Sequence, residues 1–290
     1  MRILDSYSFD GEPAMSGQGL DIPGVTVRRV GHVPEALEGA VRAGPHSTAM
    51  PGKLLRVVAG VGRFLVTGGE RIEYWAEPGA DPAAVEAMLQ GGVLGALLHQ
   101  RGDLPLHATT LVSPDGSRAV AIAGHSGAGK STTAYALVRR GWTLVSDDLT
   151  RITIEEGKAV AWPGRDRIRL MEDACGRFGI ATASLAPVPN WPGKFLVGAR
   201  RWDRPARLAT LVALERGEGS FGLERLQGGG VVQALLEHTY RPHYVEALGR
   251  TKRRFELVVA AAATVSVLAA RGRASVEEVA ERIENGTESD

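Results

Sequence analysis

The run Ala119-Val120-Ala121-Ile122-Ala123, followed by Gly124-His125-Ser126-Gly127-Ala128-Gly129-Lys130-Ser131-Thr132, constrains this chain more than any other stretch. The apolar run suits a buried strand. From Gly124 to Ser131 the sequence matches G-x-x-x-x-G-K-[ST] at every position. Behind it Ala134, Leu137 and Val138 share one helical face, and Gly141 supplies a stop signal. Strand, glycine loop and helix together are the context in which this pattern holds phosphate. The glycines let the backbone curl until several N–H groups point inward, and the positive end of the helix adds its dipole. In such loops Gly124–Thr132 would cradle the phosphates of a nucleotide, Lys130 would reach the β- and γ-phosphates, and Ser131 would hold Mg²⁺. The bland alternative is a glycine-rich turn joining a strand to a helix, and the full match with correct flanks argues against it.

Composition narrows the rest. A chain of 290 residues can bury a sizeable core, as one large domain or two small ones. Its formal net charge of +1 provides no global field to recruit nucleic acid or an anionic membrane. The lone cysteine, Cys175, allows neither an intrachain disulfide nor a multi-thiolate metal site, and a cytoplasmic location is the simple reading. MRILDSYSFDGEP carries acids and lacks an apolar core segment, so no secretory signal is expected. The most apolar stretch, Leu257–Ala270, is too short to span a bilayer comfortably and reads as a buried helix.

Along the chain, residues 1–80 read as a strand-rich N-terminal portion. Val25–Val30, Leu54–Val58, Phe64–Thr67 and Ile72–Trp75 are strand candidates punctuated by glycines. Residues 81–290 form the second portion, or continue the first as one domain. In it Ala83–His99 repeats apolar residues at helical spacing, with a kink expected at Gly91-Gly92. Leu104–Val112 reads as a strand, and Pro114-Asp115-Gly116 as the turn of an antiparallel hairpin with Ala119–Ala123. That hairpin would set His107 at the end where the glycine loop begins. The C-terminus reads as helical: Val231–His238, Tyr244–Leu248, Arg253–Ala270, and a last helix opened by the capping box Ser275-Val276-Glu277-Glu278.

Trp142–Ser146 is a second buried-strand candidate, and it ends in Asp147-Asp148. Adjacent acids repel unless a cation or proton separates them. Beside a bound Mg–nucleotide, one can hold the metal while the other takes a proton from an attacking hydroxyl. Capping or turn acids are the alternative. Arg165, Arg167 and Arg169 could clamp phosphate or an acidic substrate, or line a solvent-facing edge. Lys194 is a weaker candidate on a proline-bounded loop. Gln227-Gly228-Gly229-Gly230 reads as a connector or a substrate loop.

Spacing separates the nucleotide-binding classes. The acids return 17 residues after Lys130, with no LSGGQ-like insertion of transporter ATPases and no N-K-x-D segment for guanine. LHATTL, GHSGAGKST and the strand ending in Ser146-Asp147-Asp148 together resemble the HPr kinase/phosphorylase family. Arg101-Gly102 and the Pro163–Leu170 segment extend the likeness. The resemblance implies an α/β fold: a P-loop kinase core of HPr kinase/phosphoenolpyruvate carboxykinase type, with the strand-rich N-terminal portion and helical C-terminus described above. It implies ATP and Mg²⁺, with Gly124–Thr132 on the nucleotide, Asp147 as general base, Asp148 and Ser131 on the metal, and His107 beside the reacting phosphate.

The departures count as well. The C-terminal signature tied to phosphorolysis in the bifunctional enzymes is not found, and residues 1–80 do not resemble their N-terminal domain. The chain is more similar to short HPr-kinase-like proteins, including those that phosphorylate the C-terminal serine of a lasso-peptide precursor. A cytoplasmic kinase acting on a peptide serine is therefore the first expectation, and phosphorylation of HPr the second. A small-molecule kinase, or an ATP-binding sensor or assembly factor without kinase activity, are the rivals. The expected partner is a peptide or small protein carrying the acceptor serine, with no nucleic acid and no membrane. Family habit leaves a homo-oligomer open.

Overall fold

The computed structural model describes residues 22–215 and 217–286. The first 21 residues, part of both the strand-rich expectation and the absent-signal expectation, lie outside the described residues. From Thr26 the chain builds a six-stranded sheet: β1 (Thr26–Arg29), β2 (Val41–Arg42), β3 (Ser47–Met50), β4 (Lys53–Val58), β5 (Gly62–Thr67) and β6 (Arg71–Ala76). Strands β2 to β6 form an antiparallel meander, and β1 joins its edge parallel to β6. In β5 every second side chain is buried, as period-two alternation requires for a sheet with one covered face. The cover is α1 (Pro82–Met88) and α2 (Leu94–Arg101), together with Tyr240, Tyr244 and Leu248 from much later in the chain. Asp81 caps α1 by accepting from the Ala83 N–H, and Pro82 occupies the first turn. The expected kink is present: Leu89–Val93 forms a wide turn in which Gly91 leaves helical angles.

The second sheet has nine strands. Seven of them, in chain order, are β7 (Leu104–Leu106), β8 (Ala108–Val112), β9 (Ala119–Gly124), β10 (Thr143–Ser146), β11 (Thr150–Glu155), β12 (Lys158–Trp162) and, beyond the small hairpin β13 (Arg167–Met171) and β14 (Lys194–Gly198), β15 (Ala206–Leu214), with β10 and β7 at the two ends of the strand order. Strand β9 pairs antiparallel with β8 around the Pro114-Asp115-Gly116 turn and parallel with β15. Alternate residues of β9 serve opposite cores: Ala119, Ala121 and Ala123 on one face, Val120 and Ile122 on the other. Burial on both faces explains why this strand reads as a continuous apolar run. Helix α3 (Lys130–Arg139), the short α4 (Glu172–Arg177) and a C-terminal helix cover one face. Beyond β16 (Gly222–Arg225), helix α5 (Gly229–Glu237), the short α6 (His243–Ala247) and α7 (Thr251–Ala262) follow, and α5 and α7 cover the other face.

Three expectations are corrected here. Arg253–Ala270 is not one helix: α7 ends at Ala262, and Ser266–Arg271 is a strand, β17, between β15 and β16. Apolar runs buried on all sides carry no periodicity to separate helix from strand, and Ser266, Val267 and Leu268 reach the sheet once Ala263-Thr264 ends the helix. The C-terminal portion is thus mixed, with β15, β16 and β17 among its helices. Leu104–Val112 is also two strands, broken at His107, because β7 turns away to pair with β11 while β8 pairs with β9 and β10. The last helix, α8 (Val276–Gly286), opens as expected, with Ser275 Oγ accepting from the Glu278 N–H at 3.1 Å. Among the described residues no helix is long and apolar enough to cross a membrane.

Phe64 is fully buried between the meander and α1–α2, with its ring stacked on Tyr74 at 6.2 Å. Phe64→Ala should therefore lower unfolding stability by about 3–5 kcal/mol, read as a reduced midpoint in urea titration. A change below about 1 kcal/mol would mean this layer contributes little to the cooperative unit.

Candidate functional site

Strands β9 and β10 both run antiparallel to β8, which lies between them. Their C-terminal ends therefore share one edge of the sheet with the start of β8, and Gly124, Ser146 and His107 arrive there from three segments. At Gly124 (φ +148°) a Cβ would lie 2.7 Å from the Leu214 carbonyl oxygen, so only glycine lets β9 leave the sheet against β15. The loop then curls into α3. Lys130, the first residue of that helix, folds back to donate to the carbonyls of Gly124 (2.6 Å) and His125 (3.3 Å).

A cavity of about 600 Å³ opens over this edge. Ser126, Gly127, Gly129, Lys130, Ser131 and Thr132 line it, whereas Gly124, His125 and Ala128 do not. His125 points outward, with Nε2 2.8 Å from Glu237 Oε1.

The two acids enter the same cavity. In an extended strand, consecutive side chains would face opposite sides of the sheet. The backbone instead turns sharply: Asp148 adopts φ +70°, the Leu149 N–H donates to the Asp147 carbonyl, and Ser146 Oγ donates to the Leu149 carbonyl at 2.6 Å. Aspartate tolerates this left-handed conformation better than most residues. Asp147 is almost fully buried, its Oδ1 accepting from Thr109 Oγ1 (2.7 Å) and its Oδ2 from the Arg169 backbone N–H (3.1 Å). Asp148 is more open, with Oδ2 3.0 Å from Arg169 Nη1 and Oδ1 3.3 Å from His107 Nε2. Arg169 therefore holds both acids, one through its main chain and one through its side chain.

These surroundings push the two carboxyls apart. Burial and the neighbouring Asp148 charge raise Asp147 above the ordinary carboxyl range. Burial would raise Asp148 too, but the His107 hydrogen bond and the Arg169 charge outweigh it and hold Asp148 well below that range. Asp147 thus has the higher proton affinity of the pair and Asp148 the lower. Lys130 is lowered by burial, which the two aspartates offset in part.

Of the three arginines, only Arg169 lines the cavity. Arg167 is exposed along β13 and lies 4.0 Å from Asp166, and Arg165 lies outside the lining, so neither joins a clamp at this site. Lys194 begins a strand rather than sitting on a loop, and its ammonium lies over the Trp191 ring within the cavity wall. Gly228 precedes α5, and the Gly228–Gly230 segment is absent from the lining. Two lining residues, Tyr240 and Arg241, went unread in the sequence. Tyr240 packs edge-on to His107 at 5.8 Å, and its carbonyl accepts from His99 Nε2 at 2.8 Å. Thr109, also unread, lies two residues beyond His107 on the same hairpin and is the one with a local signal.

No protein-family model matches the chain, and no curated protein matches it. Among solved structures it is similar to the Hpr(Ser) kinase/phosphatase from Coxiella burnetii, at 13% identity over 63% of this chain and 95% of that one, with a TM-score of 0.33. At that identity and score the likeness assigns neither activity nor ligand. The chain itself is a mixed α/β protein.

The opposed carboxyl shifts predict opposed pH dependence. Asp147, raised in the fold, contributes stability below its ordinary value of 3.8 and loses it as pH rises through the folded value. The stability of Asp147→Asn relative to the unmodified chain should therefore increase from pH 4 upward. Asp148, depressed in the fold, contributes above 3.8 and loses that contribution as pH falls. Asp148→Asn should be the less stable chain near neutrality, converging with the unmodified one in acid. Urea titrations of all three chains at several pH values check both signs, and parallel curves would contradict them.

Proposed function

We propose that this protein is an ATP- and Mg²⁺-dependent kinase, built on a P-loop kinase core, that transfers the γ-phosphoryl group to a serine hydroxyl. The observation that carries the reading is the convergence of two adjacent carboxylates of opposite proton affinity on the cavity lined by the glycine loop. Loop amides and Lys130 would hold the phosphates. Among the described residues no three His, Cys, Asp or Glu side chains cluster into a protein-only metal cage. That suits Mg²⁺, which commonly takes one or two carboxylates and completes its shell with phosphate oxygens and water. Ser131 and the persistently ionised Asp148 are the fitting ligands, and the metal would supply charge neutralisation on the transferring phosphate.

Asp147 takes the proton as the serine oxygen bonds to the γ-phosphorus. The bond from that phosphorus to the bridging oxygen breaks, and ADP leaves with the electron pair. Thr109 and the Arg169 N–H each occupy one oxygen of Asp147, and every carboxylate oxygen keeps a further lone pair for that proton. His107 orients Asp148 from one side while Arg169 neutralises it from the other. Positioning and charge, rather than covalent chemistry, would account for the acceleration.

For the acceptor, the sequence resemblance favours a peptide serine, first that of a lasso-peptide precursor and then that of HPr. The rival reading is a sensor or assembly factor that binds ATP and phosphorylates nothing. Incubation with γ-labelled ATP, Mg²⁺, and either serine-terminated peptides or HPr separates them. Label should appear on one acceptor and fall by roughly 10²–10⁴-fold in Asp147→Asn, while Mg–ATP affinity changes little. Transfer at the original rate in that variant would remove Asp147 from its role. Lys130→Ala should instead weaken nucleotide binding itself, and unchanged affinity would sink its assignment. Binding without transfer to any acceptor would favour the sensor.

A further inference from the structure

The cavity carries a cationic group that phosphate transfer, as derived above, does not use. Arg241 lines this cavity together with Gly91, Gly92 and Tyr240. Its backbone is left-handed, with φ +46°, a conformation uncommon for a long side chain and found where surrounding structure holds it. Pro242 follows, and Tyr244 is fully buried, so the segment is anchored on one side. The guanidinium carbon lies 5.5 Å from the Tyr240 ring and 5.9 Å from the Tyr244 ring. Glycines let the neighbouring segment approach closely: a Cβ at Gly92 would lie 3.2 Å from Arg241 Nε, and one at Gly95 would lie 2.7 Å from the Tyr240 ring. The wide turn at Leu89–Val93 thus makes room for this arginine.

Its partners are aromatic rather than anionic. The buried Nε has no hydrogen-bond partner, and the guanidinium donates a hydrogen bond to the Tyr240 hydroxyl. Lys130 folds back onto the loop carbonyls, whereas Arg241 lies beside Tyr240, whose ring packs edge-on to His107, the partner of Asp148. The arginine thus reaches the acid pair from the His107 side. A guanidinium set against two tyrosine rings at the cavity wall carries N–H groups suited to a carboxylate or phosphate oxygen.

We propose that Arg241 forms an anion-binding subsite on the acceptor side of the cavity, and that the acceptor carries a carboxylate or phosphate group near its reacting hydroxyl. The assignment of that side as the acceptor's rests on the proposed kinase reading; the anion site itself does not.

The test uses the full chain saturated with Mg²⁺ and the β,γ-imido analogue of ATP, so that the loop and its lysine are occupied. Inorganic phosphate and acetate are then titrated in separate arms by calorimetry, and the stronger of the two identifies the favoured anion. One anion site is expected, weakened at least about tenfold in Arg241→Gln, partly recovered in Arg241→Lys, with analogue affinity within about twofold throughout. Thermal unfolding of each variant controls for misfolding. Absence of a site in the unmodified chain, or equal anion binding in Arg241→Gln, overturns the proposal. So does a tenfold loss of analogue affinity in Arg241→Gln, which would assign the arginine to the nucleotide. If the analogue does not bind at all, the kinase reading is what fails. Phosphate binding to the nucleotide-free chain, lost in Arg241→Gln but kept in Lys130→Ala, would then still support the anion site, and any other pattern would overturn it.

Discussion

Two neighbouring carboxylates cannot both be buried unless something answers their charge, and the region around β10 is arranged to do so. Arg169 supplies an N–H to Asp147 and its guanidinium to Asp148, while Thr109 and His107 reach across from the adjacent hairpin. These partners come from two segments about sixty residues apart in sequence, on either side of the acids. Removing one leaves a buried acceptor without its donor, which costs more than the bond itself contributes. The hairpin β13–β14 gains its meaning here, since Arg169 sits at its centre and its backbone must stay within reach of Asp147.

The same arrangement gives two identical side chains different proton affinities. Depth and charge, not residue type, separate them: Asp147 is sealed among neutral donors and main chain, whereas Asp148 faces a cation and an imidazole. Environments that push paired titratable groups apart are the usual mark of an acid–base division of labour. The left-handed turn at Asp148 is what brings both side chains to one cavity, and it needs a residue that accepts that backbone conformation.

What could be read beforehand was what is local. The strand–loop–helix unit, the hairpin carrying His107 and Thr109, and the acids 17 residues past Lys130 are all set by contiguous residues and turn chemistry. One part of the cavity wall was not legible, because Tyr240 and Arg241 reach it from about a hundred residues beyond the loop and carry no motif. The arginine run was ambiguous for a related reason. Alternation along β13 places Arg167 and Arg169 on the same face, and only the position of β10 decides that Arg169 alone meets the acids. Leu257–Ala270 misled through composition: a buried helix end and a central strand share the same small apolar residues, and the switch at Ala263-Thr264 has no glycine or proline to announce it.

Strand β15 has a consequence for how the molecule comes together. Its beginning pairs with β12, and the remainder lies between β9 and β17. The hairpins β8–β9 and β11–β12 need only short loops to close, whereas β9 gains its second neighbour only after more than eighty further residues have been made. Loop closure over that separation makes such pairing slow relative to the hairpins. During synthesis, then, the strand that launches the glycine loop emerges with one edge open, and that edge is covered only when the last third of the chain arrives.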